Sequence, residues 1–526
     1  MPDIDVDDLG SIGLIQDEKP YKIPPEAFST AFNMRVEDGR MVTVGGRTQA
    51  MGTPSVAPYF LLPVRGPSET LYWIYTSLTK AYVYTAAAHS DITNAGGDYT
   101  ATYARDWNAT IHGGVPIINS GSDNLQFWSA FSASQKLTDL TNWTSGDTAK
   151  FVRSFGPFLV CGNVTLSATA YAHGVLWSHP ADPGSVPSSW DYSDETKDAG
   201  LYELPDAESG VLIDGRMLRG QMYLYKASAT WVMRHIGGRL IFSFTNFLET
   251  SGILAPRCVA STGDGRWHLV ATQDDLIIHD GQQVLSVVEG KLRRTIFAAI
   301  DSTNYRESFV FSIPGRKEIW FCYPETGSST PTRALIWNYG AGGERGVVTE
   351  TEVNFVAAAT GDAELQSADT WASVSGTWAS YTGGAWSSAD TRKTFVAQGA
   401  TATKILELDK GTTFDGSAIT ATLARESLGI IGRKRDNSPV VDFSVVKFVR
   451  RVWIVGSGGP INVRIGVQDT VEGSVVWSDS QAFDPTTDMF VDFTSTGVAV
   501  SIEFSAAVPF EISSYKLVMA IAGRFG

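Results

Sequence analysis

The sequence predicts an all-β chain: a β-propeller of about seven blades, with an N-terminal arm before it and a β-sandwich-like domain after it. Three observations lead there. Charged residues make up only 18%, aromatics 11%, and there are 51 Gly and 15 Trp, a composition suited to short strands and tight turns rather than helical bundles. After residue 50, one unit of strand, polar turn and strand recurs about seven times, its copies starting roughly 42 to 76 residues apart, which is the spacing of repeated small sheets. From Phe443 the rhythm changes to longer alternating strands (VVKFVRRVWIVGSGGPINVRIGVQD). The expected division is 1–50, arm and closing hairpin; 51–442, propeller; 443–526, C-terminal β domain.

Residues 1–20 are acidic and polar and are expected to be a flexible arm. Asp3, Asp5, Asp7 and Asp8 resemble part of a calcium loop, but the glycine and distal glutamate of that motif are missing, so no metal site is assigned. In Tyr21–Gln49, Ile23-Pro24-Pro25 sets an extended lead-in, because each proline locks φ and restricts its predecessor. Glu26 to Phe32 then suits one helical turn, with Phe28 and Phe32 four apart. Asn33-Met34-Arg35-Val36, Asp38-Gly39 and Met41-Val42-Thr43-Val44 predict a hairpin, since Asp-Gly between short apolar runs favours a tight turn. Around Met41–Val44 this hairpin is expected to complete the last blade and close the ring of blades.

The repeated strand pairs are 71–75 with 81–84, 115–119 with 125–128, 157–161 with 174–178, 221–225 with 230–233, 267–271 with 276–279, 318–322 with 333–337, and 394–397 with 404–408. A small sheet of this kind cannot bury both faces alone, and radial packing against its neighbours solves that. A long β-sandwich of irregular hairpins is the alternative. Near 365–392, Trp371, Trp378 and Trp386 recur among Ser, Gly, Thr and Ala, which suggests a β-rich insertion with aromatic tips for protein contacts or sugar stacking. Gly429 to Arg435 is a basic run just before the C-terminal domain, a linker or a contact for a partner's acidic face.

Composition excludes several classes. With 41 Lys and Arg against 56 Asp and Glu, the net charge of −15 argues against gripping a phosphate backbone over a broad surface. Cys161, Cys258 and Cys322 lie far apart inside apolar runs, indicating buried thiols in a reducing cytosol rather than a disulfide framework or zinc site. No signal peptide or membrane-spanning run is evident, and no membrane insertion is expected. None of the seven histidines (His89, His112, His173, His179, His235, His268, His279) forms HExxH or a close pair with cysteine, and GxSxG, P-loop and GxGxxG motifs are missing. Ser261 to Trp267 is similar to a compressed Asp-box turn of sialidase-type propellers, but it does not repeat. No catalytic, cofactor-binding or metal-binding residue is assigned, and an enzyme is not expected.

The chain resembles tail nozzle proteins (tail tubular B-like, or stabilisation proteins) of short-tailed bacteriophages. The resemblance rests on Gly13-Leu14-Ile15-Gln16-Asp17, Ile23 to Phe28, Asn33-Met34-Arg35, Asp38-Gly39 and Gly45-Gly46. Further along, Ile405 to Thr412 with Asp415-Gly416 and the final Gly523-Arg524 are also similar. It implies a virion protein made in the host cytoplasm and placed in the tail, a homo-hexameric ring below the tail adaptor ring. That ring would lengthen the conduit for genome ejection and anchor tail fibres or spikes. Six copies would carry about −90, so viral DNA would slide through the lumen without specific binding. A carbohydrate-binding or glycan-cleaving propeller on a phage or bacterial surface is the alternative, and a monomeric adaptor propeller a third reading.

Overall fold

The computed structural model describes residues 3–363, 392–400, 402–433 and 439–524. The Trp-rich stretch with Trp371, Trp378 and Trp386 lies outside the described residues, as do Lys434 and Arg435 at the end of the basic run. The described chain is β-rich, with one short α-helix, Arg293–Ala299, among many small sheets. Two compact units arise: 1–48 with 253–354 and 409–526, and 49–252 with 355–408.

All seven strand pairs read from the sequence are present as antiparallel pairs. In the second unit, four of them grow into four-stranded meanders, covering Phe60–Asp91, Asn108–Asp139, Thr148–Glu203 and Leu212–Leu248. Among the added strands, Ala88–Asp91 and Thr138–Asp139 are short and partly or fully exposed, so their apolar signal is weak. A further sheet of Ala357–Asp362, Arg392–Ala397 and Ile405–Leu408 takes Arg47–Ala50 as its next strand, whose last two residues belong to this unit.

These sheets bury their faces against each other in sequence. Ile74, Val83 and Trp107 join the first meander to the second; Ile117, Val152 and Leu159 join the second to the third; Phe151, Leu212 and Leu224 join the third to the fourth. The sheet of Ala357–Leu408 packs on the first meander through Phe395, Ala397, Leu61 and Trp73. Gly361 sits there because a Cβ would come within 2.2 Å of Pro63. Burial of such apolar faces, at about 25 cal/mol per Å², is the main stabilising term.

The first unit carries a meander at Val259–Ser286 and another at Phe309–Glu352. The latter is extended by a parallel strand, Thr30–Phe32, and then by Ala421–Leu428, Ala499–Ala506 and Ile461–Gln468. A second sheet holds Phe490–Gly497, Val445–Gly458, Phe510–Arg524 and the hairpin Met34–Glu37/Arg40–Thr43. Ala421–Leu428 therefore already belongs with the C-terminal strands, ahead of Phe443.

Three expectations for the N-terminus are corrected. The flexible arm expected at 1–20 is not found in its described residues, 3–20: Asp3–Val6 pairs with Tyr515–Val518, and Ile4, Val6, Leu9 and Leu14 are fully buried. Their apolar alternation lay between acids, with Asp5 and Asp7 on the exposed face. On that face Asp5 meets Lys516 at 3.7 Å. Glu26 to Phe32 is not a helical turn but the short strands Ala27–Phe28 and Thr30–Phe32, because three neighbouring strands, Gly13–Leu14, Val347–Glu352 and Ala421–Leu428, supply their hydrogen-bond partners. The Asp38-Gly39 hairpin forms, with both residues at positive φ (49° and 77°). Its strand Arg40–Thr43 pairs with Glu511–Ile512 of the C-terminal sheet, however, so Met41–Val44 does not complete the last repeated sheet.

Candidate functional site

The arm motif builds a buried polar core in the first unit. Asn33 sits at φ 55°, a left-handed conformation that asparagine tolerates better than most residues. Its amide is saturated: it accepts from Thr351 Oγ1 (2.8 Å) and Glu352 N (3.1 Å) and donates to Thr420 O (2.9 Å) and Glu352 Oε1 (3.3 Å). Its backbone N–H donates to Glu350 O at 2.8 Å and its carbonyl accepts from Val44 N at 3.0 Å. One asparagine thus satisfies the backbone of three separate chain segments.

Two residues on, Arg35 lies 1% exposed. Its Nη2 is 2.8 Å from Asp409 Oδ1 and its Nε is 3.7 Å from Glu318 Oε1. Asp409 Oδ2 meets Arg316 Nε at 2.8 Å, and Arg316 reaches Glu37 at 3.4 Å. Glu318 also accepts from Trp320 Nε1 at 3.0 Å. Burial opposes the charge on Arg35, but Glu318 and Asp409 outweigh it and raise the guanidinium above its ordinary value. Burial likewise opposes the charge on Asp409, yet Arg35 and Arg316 hold its carboxyl below the usual range. Burial raises Glu318, with Arg35 only partly opposing it.

Arg47 completes the core. It donates to Glu352 O (2.5 Å) and Asn354 Oδ1 (3.4 Å) and stacks 3.8 Å above the Phe414 ring. Burial pulls its guanidinium down to about 10, against the pull of Glu352. The two glycines before it are set by close approach: a Cβ on Gly45 would lie 2.5 Å from Asp409 Oδ1, and one on Gly46 would lie 2.6 Å from Gly411. Gly46 N donates to Gly411 O and Lys410 N to Gly46 O, both at 3.0 Å.

This arrangement holds chain segments together, because the Asp409 and Glu318 carboxylates are engaged by arginines or an indole and that of Glu352 by the Asn33 amide. Breaking a buried ion pair by removing one partner costs about 3–5 kcal/mol. Sequence reasoning singled out Asn33, Arg35, Gly45 and Gly46, and Asp409 as part of Ile405 to Thr412. It missed Arg47, Arg316, Glu318 and Glu352 as their partners. The available signal was charge inside apolar strands, as in Glu318-Ile319-Trp320-Phe321-Cys322.

Elsewhere, the second unit has an open polar cleft of about 330 Å³ lined by Asn94, Asp98, Asp123, Asn124, Gln126 and Asp139 among others. Asp139 accepts from Asn94 (2.9 Å), Asn124 (3.0 Å) and Gln126, and Asp123 accepts from Thr100 (2.9 Å) and Ser120 (2.7 Å). The segment resembling an Asp-box turn is held within itself, with Thr262 Oγ1 donating to Asp264 Oδ1 at 2.6 Å and accepting from Trp267 N at 3.1 Å. His268 and His279 face each other across a strand pair, ring centroids 5.3 Å apart. The three cysteines are buried and form no disulfide, and burial raises the Cys161 and Cys322 thiols. Among the described residues no group of three or more His, Cys, Asp or Glu side chains could hold a metal ion. No helix among them is long and apolar enough to cross a membrane.

No family model matches the chain, and no curated protein matches it. Solved structures that it resembles include the extracellular domain of the one component system BT4673 from B. thetaiotaomicron, at 9% identity and a TM-score of 0.38, with 90% of this chain and 59% of that chain covered. PorZ, a bacterial surface component of the type-IX secretion system of Porphyromonas gingivalis, follows at 8% identity and a TM-score of 0.33, with 84% and 46% covered. The AfRom2 CNH domain is similar at 8% identity and a TM-score of 0.35, with 70% and 97% covered. The chain thus spans about half the length of these two bacterial proteins. At such scores the likenesses assign neither family nor function.

Proposed function

We propose that the chain is a structural virion protein, a subunit of a homo-hexameric tail nozzle ring that attaches below the tail adaptor ring and forms part of the conduit for genome ejection. The observation that carries the reading is the arm core. The string through which the chain resembles tail nozzle proteins, Asn33-Met34-Arg35 to Gly45-Gly46, supplies the buried residues on which the first unit is built. A string with that job is costly to alter, and this supports the reading.

The proposed architecture is a propeller of about seven blades. In its support, the second unit stacks its sheets face to face, and the last of them in the chain packs on the first. Ring closure would come from Arg47–Ala50, which continues that last sheet. In this reading the protein is not an enzyme and takes no cofactor. It is made in the host cytoplasm, resides in the virion tail and does not insert into a membrane. Its partners are further copies of itself, the tail adaptor and tail fibres or spikes, and the charge of −15 per copy lets viral DNA pass without specific binding.

The test is an electron-microscopic image of the purified protein. A ring with a channel wide enough for a duplex is expected. A monomer at every concentration, with or without the adaptor protein, would overturn the proposal. The polar cleft at Asn94, Gln126 and Asp139 favours one second reading, a glycan-binding or glycan-cleaving propeller. Saturable binding or cleavage of host-surface glycan by the monomer would support that instead.

A further inference from the structure

At one end of the contact between the third and fourth meanders of the second unit, three buried side-chain nitrogens have no hydrogen-bond partner among the described residues: Lys226 Nζ, His173 Nδ1 and Trp231 Nε1. Lys226 is fully buried and Trp231 is 8% exposed. Strand register explains their placement. Leu224 lies opposite Trp231 and Leu212 opposite Lys226, and residues that are opposite or two apart on a strand share a face. Met222, Leu224, Leu212 and Trp231 belong to the apolar core that joins the two meanders, with Val160 and Val175 from the third. Lys226 therefore ends an apolar column with an ammonium group. His173 comes two residues before Val175, and its carbonyl accepts from Leu204 N at 3.1 Å.

The segment from Leu204 to Gly210 bridges the meanders at this end. Ser228 N donates to Ser209 O at 3.1 Å, and a Cβ on Gly210 would come within 2.8 Å of Ala227 Cβ. Asp206 lies on that segment but is engaged within it, accepting from Ser209 Oγ and from Ser209 N (3.3 Å), and it makes no hydrogen bond to Lys226. The Ser209 hydroxyl holds the Asp206 carboxyl below its usual range, and the charges of Lys226 and His173 act in the same direction. Burial lowers the Lys226 ammonium, and Asp206 offsets only part of that effect. A polar group buried without a partner is costly, and a charged one more so. Lysine and indole nitrogens can only donate while protonated, and His173 Nδ1 carries a hydrogen in the imidazolium and in one neutral tautomer. What this end of the interface calls for is an acceptor.

We propose that Lys226, His173 and Trp231 form a binding site for a small carboxylate. A carboxylate accepts several N–H groups at once through its two oxygens, and a bond from an ammonium to it is charge-assisted. A monoanion fits better than a phosphate, because Asp206 stays ionised nearby and each further negative charge adds repulsion. Leu204 and Leu212, both buried at this end, restrict the ligand to a short chain. The site lies wholly within the second unit and stands whether or not copies of the chain assemble into a ring.

The test uses the full chain and sodium acetate, with sodium chloride and sodium phosphate at equal ionic strength as controls. Isotope labelling of the tryptophan indole nitrogens gives each N–H a resonance, and Trp231→Phe identifies the one from Trp231. Acetate should shift that resonance saturably. At about ten times its dissociation constant it should also raise the thermal midpoint by about 2–4 °C. The controls should do neither. Lys226→Met should abolish both responses and leave the acetate-free midpoint equal or higher, since it removes an unpaired buried charge. His173→Phe keeps the ammonium and should weaken acetate by about fivefold or more, which tests the site even where Lys226→Met fails to fold. If acetate leaves the Trp231 resonance unmoved, or Lys226→Met responds as the wild type does, water alone meets these nitrogens and the inference fails. An equal response to chloride or phosphate would likewise overturn it, by showing a general effect of anions.

Discussion

Asp409 holds Arg35 at 2.8 Å, Oδ1 to Nη2, with the arginine side chain 2% and the carboxylate 13% exposed. The pair binds the N-terminal hairpin to the turn that follows Ile405–Leu408, so the hairpin keeps its place only while a buried charge remains paired. Several consequences can be measured.

Replacing Arg35 by Met should destabilise the first unit by about 3–5 kcal/mol, since Glu318 and Asp409 are left buried with less compensation. Adding Glu318→Gln should recover part of the loss. Urea unfolding monitored by the fluorescence of Trp320 would measure the coupling, and strictly additive effects would contradict the network.

Gly45 and Gly39 should fail for different reasons. Gly45→Ala places a methyl 2.5 Å from Asp409 Oδ1 and 2.7 Å from its Cα, an overpacking cost of about 1–3 kcal/mol. Gly39→Ala makes only an ordinary contact, 3.5 Å from Asp8 Oδ1, but must hold φ 77°, costing about 1–2 kcal/mol. In a background carrying Asp409→Ala, the cost at Gly45 should shrink and that at Gly39 should not. Equal responses would show that close approach to Asp409 is not the constraint.

Acid should weaken the first unit through His279. Burial pushes this imidazole down to about 4, from an ordinary value of 6.5. The unfolded chain therefore binds a proton first as pH falls. The stabilisation is complete above pH 6.5 and is lost as pH drops towards 4, by about 2 kcal/mol between pH 6.5 and 5. His279→Phe should flatten that limb of the stability curve. An unchanged slope would remove His279 as its cause.

Deleting residues 21–49 should prevent the first unit from folding. Thr30–Phe32 lies between Val347–Glu352 and Ala421–Leu428, so its loss opens the sheet in the middle. Limited proteolysis and calorimetry of the truncated chain would decide. A normal melting transition would reduce the segment to a dispensable arm.

The repeated hairpins were legible because each is local. Alternating apolar residues flank a polar turn within a few positions, and no distant partner is needed to recognise 71–84 or 318–337 as strand pairs. The arm core was half legible. Asn33, Arg35 and the paired glycines stood out as unusual words, but Glu318, Glu352 and Arg47 look like ordinary charges until distant segments meet. The helical turn expected at Glu26–Phe32 failed for the same reason, since a four-residue spacing of Phe28 and Phe32 cannot reveal that flanking strands will take the backbone hydrogen bonds. His268 and His279 were each visible, yet only strand register places one opposite the other.

By itself, then, the sequence determined the β-rich class, the seven strand pairs, the Asp38-Gly39 turn and the buried thiols, because period-two alternation, turn chemistry and local hydrophobicity act over a few residues. Tertiary structure alone decided which sheet receives the N-terminal strands, why two glycines must stand side by side, and which acids answer Arg35. Those outcomes depend on desolvating charges and on backbone approach between segments hundreds of positions apart, and neither leaves a local trace in the chain.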